Sequence, residues 1–446
     1  MHWLANGVYV VVGILYLPIL LYEMVVLGKN RRGWGQRFGR IGPMDPARRR
    51  IWVHAVSLGE MNATPRLVEM LQQREKDVDI VFSTTTDTGF ARGVELYGAD
   101  RVFRFPLDLS FIVERAMRAI APSMIVLVEL EVWYNLVRSA ERRDVPVVVI
   151  NGRFTSRSAR RLSYLGPIAR SMFRKLAWVG VQDETIADRF KTMGVPPNRV
   201  DVTSSLKWDT AQIHDSVEGA EELAEALGIE ASRALWVCGS TGPGEETIIL
   251  DAYRMLLNTS KSRPPRLAIV PRKPERFDEV ARLIRAAGFE CVRRSERAGE
   301  AAASSVPSST VILGDTMGEL RKFYSLASVV FVGRSLVAMG GSDPIEAAAL
   351  GRPILSGPHM ENFALPIESF READAIREVH SDRTLALAVD ALVAQPAEAT
   401  AMGQRAQQVV RDHQGATQRT ADHIVELLAT CDARSVERLA EQPATS

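Results

Sequence analysis

Cysteine is scarce. There are three in 446 residues, Cys238, Cys291 and Cys431, far apart and odd in number. That excludes a disulfide framework and the paired spacing of a structural zinc site, and it fits a reducing compartment. Histidine is scarce too: seven residues, with no H-x-x-x-H pair, so no metal and no other cofactor is expected. An excess of charge of one sign is also missing. Fifty-five Lys and Arg stand against 54 Asp and Glu, a net +1, so nucleic acid is not an expected partner.

Long apolar runs are missing as well, with one exception. Residues 8–27, VYVVVGILYLPILLYEMVVL, carry a single charge, Glu23. At about 1.5 Å per residue that run matches the roughly 30 Å hydrocarbon core of a bilayer. Residues 29–50 follow with eight Lys/Arg and one acid. A cleaved signal peptide has its basic residues before the apolar run, and here they come after it. The reading is an N-terminal membrane anchor helix over 1–28 and a basic juxtamembrane segment over 29–50 among anionic headgroups. The remainder is expected on the cytoplasmic side of the membrane. Pro18 and Glu23 leave open a shallow interfacial helix or a buried amphipathic one.

From residue 51, short Val- and Ile-rich runs alternate with stretches of helical spacing. Strands are expected at 51–56, 79–84, 102–105, 124–128, 145–150, 178–181 and 200–203. Helices are expected at 64–73, 111–121 and 133–143. This alternation reads as an α/β chain with parallel sheets buried on both faces. Residues 209–232 are acidic and helical without a strand, and read as a linker. The pattern then restarts with strands at 234–238, 267–270, 290–292, 311–313, 329–332 and 353–355. Two Rossmann-like domains follow, over 51–208 and 233–432, the second closed by C-terminal helices, with a flexible tail over 433–446. Ligands of such sheets bind beyond the carboxyl ends of the strands, so the chemistry is expected just after them.

There the sequence places distinctive groups. HAVSLGE puts Glu60 after the first strand, as an acid near a helix N-terminus or as a general base. VELEVW puts Glu129 and Glu131 after the fourth strand, two carboxylates that must be solvated, paired or used. SSLKWD puts Lys207 at the domain junction, as solvated surface or as part of a site. CGSTGPGEE resembles a weak anion cradle in which Glu245 and Glu246 would repel a polyphosphate. PRKPERF offers Pro271 and Arg272, the latter suited to phosphate or carboxylate, and GDTMGEL is a further loop leading into a helix. In GGSDPIE, Asp343 is expected as N-cap, Pro344 at N1 and Glu346 at N3. Glu346 can serve a cap or bind a ribose diol.

Taken in register, HAVSLGE, FPLD, VELEVW, NGRFTSRS, SSLKWD, PRKPERF, GDTMGEL and GGSDPIEAAALGRPILSGP resemble the 3-deoxy-D-manno-octulosonic acid (Kdo) transferases, from the apolar start to about residue 370. The resemblance implies a GT-B glycosyltransferase of two facing Rossmann-like domains, acceptor domain first and CMP-sugar donor domain second. It implies metal-independent, inverting transfer of Kdo from CMP-Kdo to a lipid A precursor in lipopolysaccharide synthesis. Glu60 would be the general base, and Glu129 and Lys207 would stabilise the transition state. Pro271, Arg272, Met317, Gly318, Glu319, Asp343, Pro344, Ile345 and Glu346 would line the CMP site. The chain departs from the family at Ser342 and Asp343, where histidine and asparagine are usual, and at Arg334, where glycine is usual. The alternatives are a GT-B enzyme with another nucleotide-sugar donor and a membrane-tethered relative without catalysis.

Overall fold

The structure is a computed structural model. It describes residues 32–164, 166–213, 216–260, 263–297 and 310–441, together with positions 6, 7, 9, 15, 17, 18, 22, 24 and 25. Most of the expected anchor run, 8–27, therefore lies outside the described residues. Among those described, no helix is long and apolar enough to cross a membrane.

The chain divides into two units, residues 1–210 with 414–446, and residues 211–413. The first is built on a seven-stranded parallel sheet in the order β3-β2-β1-β4-β5-β6-β7. Its strands are β1 (Arg50–His54), β2 (Asp79–Thr84), β3 (Val102–Arg104), β4 (Met124–Val128), β5 (Val147–Gly152), β6 (Trp178–Val181) and β7 (Val200–Val202). The reason it forms is visible in β1 and β4. Ile51, Val53, Met124, Val126 and Val128 enter the core on one face, and Trp52, Ile125 and Leu127 enter the core on the other. A strand with both period-two sets apolar has no solvated side, and only a sheet covered by helices on both faces satisfies it.

The second unit repeats the plan, in the order β10-β11-β9-β8-β12-β13-β14. Its strands are β8 (Leu235–Thr241), β9 (Arg266–Pro271), β10 (Cys291–Arg293), β11 (Val311–Leu313), β12 (Val329–Val332), β13 (Ile354–Ser356) and β14 (Ile376–Glu378). Every strand pairing in both sheets is parallel. The strand β14 escapes sequence reading because it is three residues at the sheet edge, none of them fully buried. In each sheet the chain direction of winding reverses once, between β1 and β4 and between β8 and β12. That reversal is where open α/β sheets leave a crevice for ligands.

Three expectations need correction. The stretch expected as an acidic, helical linker, 209–232, does form a helix, Ala220–Ala226, but from residue 211 it belongs to the second unit, where Ala220 and Leu223 are buried. The last helix does not close the second unit. It runs over Ala416–Glu441 and so includes most of the expected tail. Its Ala416, Ala421, Ile424 and Leu428 fill the core of the first unit beside Ile51 and Val53. Its start is fixed there by Asp209, whose carboxylate accepts the N–H groups of Gly415 and Thr417 at 2.7 and 2.5 Å.

The third concerns the basic segment. Arg37 and Arg50 are buried. Arg37 donates to the Thr85 carbonyl at 2.6 Å, and Arg50 donates to the Ile120 carbonyl at 2.6 Å and pairs with Asp79. Arg49 pairs with Glu75. These cations hold the first unit together and are not available to headgroups. Arg32, Arg40 and Arg48 remain exposed.

Candidate active site

The carboxyl ends of β1 and β4 carry three acids. After β1 the chain turns at Ser57, whose hydroxyl caps the helix Leu58–Asn62 by accepting the Glu60 N–H. The Glu60 carboxylate folds back over the turn. One oxygen accepts the Val56 N–H at 2.7 Å and the other the Ser57 hydroxyl at 2.8 Å. Glu60 is therefore a helix-start acid, as one sequence reading has it, and is also half-buried at the reversal point of the sheet.

Burial pushes the Glu60 carboxyl up to about 7. The Val56 N–H and the Ser57 hydroxyl oppose the rise, and the charges of Glu129 and Glu131 add to it. Burial also raises Glu131, with the Glu129 charge in the same direction. A base titrating near the working pH combines a large unprotonated fraction with useful basicity. As a base Glu60 would have to be unprotonated, so kcat/KM should fall about tenfold per pH unit below roughly 7. Glu129→Gln removes a neighbouring negative charge, and the acid limb of the pH–rate profile should then move to lower pH. A profile flat from pH 5 to 8 would exclude Glu60 as the proton acceptor.

Backbone strain marks the same edge. Glu129, Asn151 and Ser204 all hold positive φ, at 65°, 51° and 70°. They follow β4, stand one residue before the end of β5 and follow β7 respectively. Non-glycine residues hold this region only where the surroundings impose it. Asn151 is the organiser: its side-chain oxygen accepts the Ser205 hydroxyl at 3.3 Å and the Leu206 N–H at 3.2 Å. This draws the chain after the edge strand β7 back to the end of β5, and so places Lys207, which belongs to the turn Leu206–Thr210. Sequence reading takes NGRFTSRS only as one of the motifs in register and does not single out Asn151. A polar residue closing an all-apolar strand is the signal that would find it.

His54, within the same motif, is excluded from proton chemistry. Its ring is fully buried and stacks on Phe105 at 3.8 Å, and one nitrogen contacts Ser83. Burial lowers it to about 3, so it is neutral throughout the physiological range.

The helix that follows Glu131 is fixed from two directions. Asp108, of FPLD, caps Tyr134–Glu141 by accepting the N–H groups of Asn135 and Leu136, both at 2.9 Å. Asn6 bonds to the Asn135 amide at 3.1 Å and to Ser110. Tyr9 donates to Asp108. The start of the chain is thereby attached to the segment that carries Glu129 and Glu131.

In the second unit the expected residues also stand past strand ends, but their side chains differ in availability. Pro271 ends β9, and the Arg272 N–H bonds to the Thr241 carbonyl at 3.2 Å while its side chain is exposed. Met317 is exposed and Gly318 turns with φ 85°. The Glu319 carboxylate is already taken, by Arg294 at 3.0 Å, Lys322 and Thr316. Pro344 and Ile345 are buried in the unit, so their side chains do not line an open site. Gly340 and Gly341 both hold φ 80°, which lets the loop pass Asn362 and Met360 where a Cβ has no room. The expected capping box does not form, and the N-cap falls one residue later. The helix is Ile345–Ala349 with Pro344 as N-cap, and Asp343 accepts the Ile345 N–H at 2.9 Å in an Asx turn. Glu346 is exposed, within the fields of Asp343, Arg321 and Arg272. A carboxylate beside an arginine at the start of a helix can take a sugar diol and a phosphate together.

Comparison with known proteins places this arrangement. The family described as 3-Deoxy-D-manno-octulosonic-acid transferase (kdotransferase) matches residues 32–210. The 3-deoxy-D-manno-octulosonic acid transferase of Haemophilus influenzae is 33% identical over 400 residues, 88% of this chain and 91% of the relative. That of Bordetella pertussis is 34% identical over 416 residues, 90% of this chain and 94% of the relative. Among solved structures, a glycosyltransferase from Rickettsia africae overlays with a TM-score of 0.54 at 9% identity, over 86% of this chain and 99% of its own. That last likeness is one of fold.

Proposed function

The chain belongs to the 3-deoxy-D-manno-octulosonic acid (Kdo) transferase family, and from that premise we propose that it moves Kdo from CMP-Kdo to a lipid A precursor. The observation that carries the reading is Glu60, a desolvated carboxylate at the reversal point of the first sheet with its pKa near 7. An acceptor sugar hydroxyl attacks the anomeric carbon of Kdo while the bond to the CMP phosphate oxygen breaks. Glu60 takes the hydroxyl proton, and CMP departs with the bonding electrons. Attack opposite the leaving group inverts the anomeric centre. Glu129 steadies the cationic sugar that develops, and Lys207 offsets anionic charge on the Kdo carboxylate or the phosphate.

The loops of the second unit hold CMP. Arg272 meets the phosphate and Glu346 the ribose diol, with the turn Met317 to Glu319 and the Asx turn at Asp343 shaping the wall through their backbone. No step is assigned to a metal. The enzyme acts from the cytoplasmic face of the inner membrane, attached through the apolar N-terminal segment. Supporting this, Leu15, Leu17, Tyr22, Val25 and Phe38 are all exposed large apolar side chains, an arrangement that favours a lipid surface. Incubation of the purified protein with CMP-Kdo and lipid IVA should give a product heavier by one or more Kdo units, with release of CMP. Mass spectrometry that finds no Kdo adduct, or turnover with a UDP-sugar alone, would overturn the reading.

A further inference from the structure

The reversal point of the second sheet lies between β8 and β12. The loop after β8 leads into the helix Glu245–Thr259, and the loop after β12 runs through residues 333–336. The start of a long helix at such a point presents free N–H groups and the positive end of its dipole, which ordinarily receives a phosphate. Here the place is filled from within the chain. Glu245 is fully buried. One of its carboxylate oxygens accepts the N–H groups of Gly242, at 3.0 Å, and of Arg334. The other accepts those of Ser335 at 2.7 Å and Leu336 at 2.9 Å.

The three successive N–H groups of 334–336 converge on one anion because Arg334 holds a positive φ of 60°. That is the geometry of a backbone nest for anions. The two loops also touch: a Cβ on Gly333 would stand 2.7 Å from the Thr241 Cα and 2.8 Å from the Ser240 carbonyl. There is no space for a second anion within the nest. Next to it Glu246, also fully buried, is neutralised by a two-point contact with Arg276 and by the Thr241 hydroxyl at 2.8 Å. Glu245 has no cationic partner of this kind among the described residues. Its charge is met by backbone dipoles, as a phosphate's would be.

We propose that Glu245 is a specificity residue: its carboxylate occupies the position of a donor phosphate and restricts the nucleotide site to nucleoside monophosphates. The inference rests on the reading of these loops as the donor site and adds the physical reason for a monophosphate-linked donor. A nucleoside monophosphate needs one anion position, supplied by the exposed Arg272 beside the Thr241 carbonyl. The second phosphate of a diphosphate would need the nest, and would meet a full negative charge with every N–H already used.

Isothermal titration of the full-length protein in detergent with CMP, CDP, UMP and UDP tests this, on wild type and on Glu245→Ala. In wild type the diphosphate should bind at least tenfold more weakly than the monophosphate of the same base. In Glu245→Ala, which removes the carboxylate and leaves the N–H groups of Gly242 and residues 334–336 free to receive a phosphate, that ratio should shrink to within about threefold. A side chain that only stabilised the loop would change both affinities together and leave the ratio alone. Wild type binding CDP as tightly as CMP overturns the proposal, whether or not the variant folds. A folded Glu245→Ala with the wild-type ratio overturns it as well. The choice between cytidine and uridine is a separate readout. If uridine nucleotides bind and cytidine nucleotides do not, the CMP reading fails, and the ratio of mono- to diphosphate still decides the role of Glu245.

Discussion

Glu60→Gln should lower the rate of Kdo transfer by about 10²–10⁴-fold with little change in stability, because it removes only the capacity to accept a proton. The amide oxygen can still accept the Val56 N–H, and the turn at Ser57 keeps its shape. The loss should appear in kcat, with KM for the donor nearly unchanged, since the loops proposed to hold the nucleotide belong to the other unit. Lowering kcat and kcat/KM by the same factor is the signature of a contact made only in the transition state. Single-turnover kinetics with wild type and variant side by side give the comparison. A Glu60→Gln enzyme with the wild-type rate would leave the three-acid cluster without a catalytic member.

The second large effect is on stability. Arg276 reaches Glu246 through two bonds, at 2.6 and 3.2 Å, and Glu246 is fully buried. Removing one member of a buried pair leaves a desolvated charge without compensation, at a cost of about 3–5 kcal/mol. Arg276→Ala should therefore lower the melting temperature of the second unit by roughly 6–20 °C. Replacing the pair together, Arg276→Met with Glu246→Leu, should recover most of the loss, because apolar groups of similar volume need no charge partner. Scanning calorimetry separates the two cases. A single variant as stable as wild type would mean that solvent reaches Glu246.

The strands were the most legible part of the chain, for a reason that holds residue by residue. Runs such as Met-Ile-Val-Leu-Val at β4 are apolar on both faces, and only a covered parallel sheet accommodates that. β14 gave no such signal, with one aliphatic residue between a turn and an edge. The site was legible as far as position. Glu60 and Glu129 could be placed past strand ends by pattern alone, but the approach of their charges depends on β1 and β4 being neighbours, although β2 and β3 intervene in sequence. Long-range pairing decides that, and it also decided the fate of the arginines. Arg37 and Arg50 read as part of a solvated basic run, yet each reaches a carbonyl more than forty residues away. Glu245 was read as repelling a polyphosphate, and the sequence stops there for a related reason. It shows a negative charge at a helix start but not that the carboxylate turns back into its own loop and takes the N–H groups itself.

The return of the chain to the first unit after residue 413 has a consequence during synthesis. On the ribosome the first 210 residues emerge with one face of β1 and β4 still lacking Ala416, Ile424 and Leu428. At about 5–20 residues per second that face waits roughly 10–45 s for the final helix. Over that interval the nascent unit depends on something else to shield the gap, and a message truncated near codon 413 would leave the gap permanently uncovered.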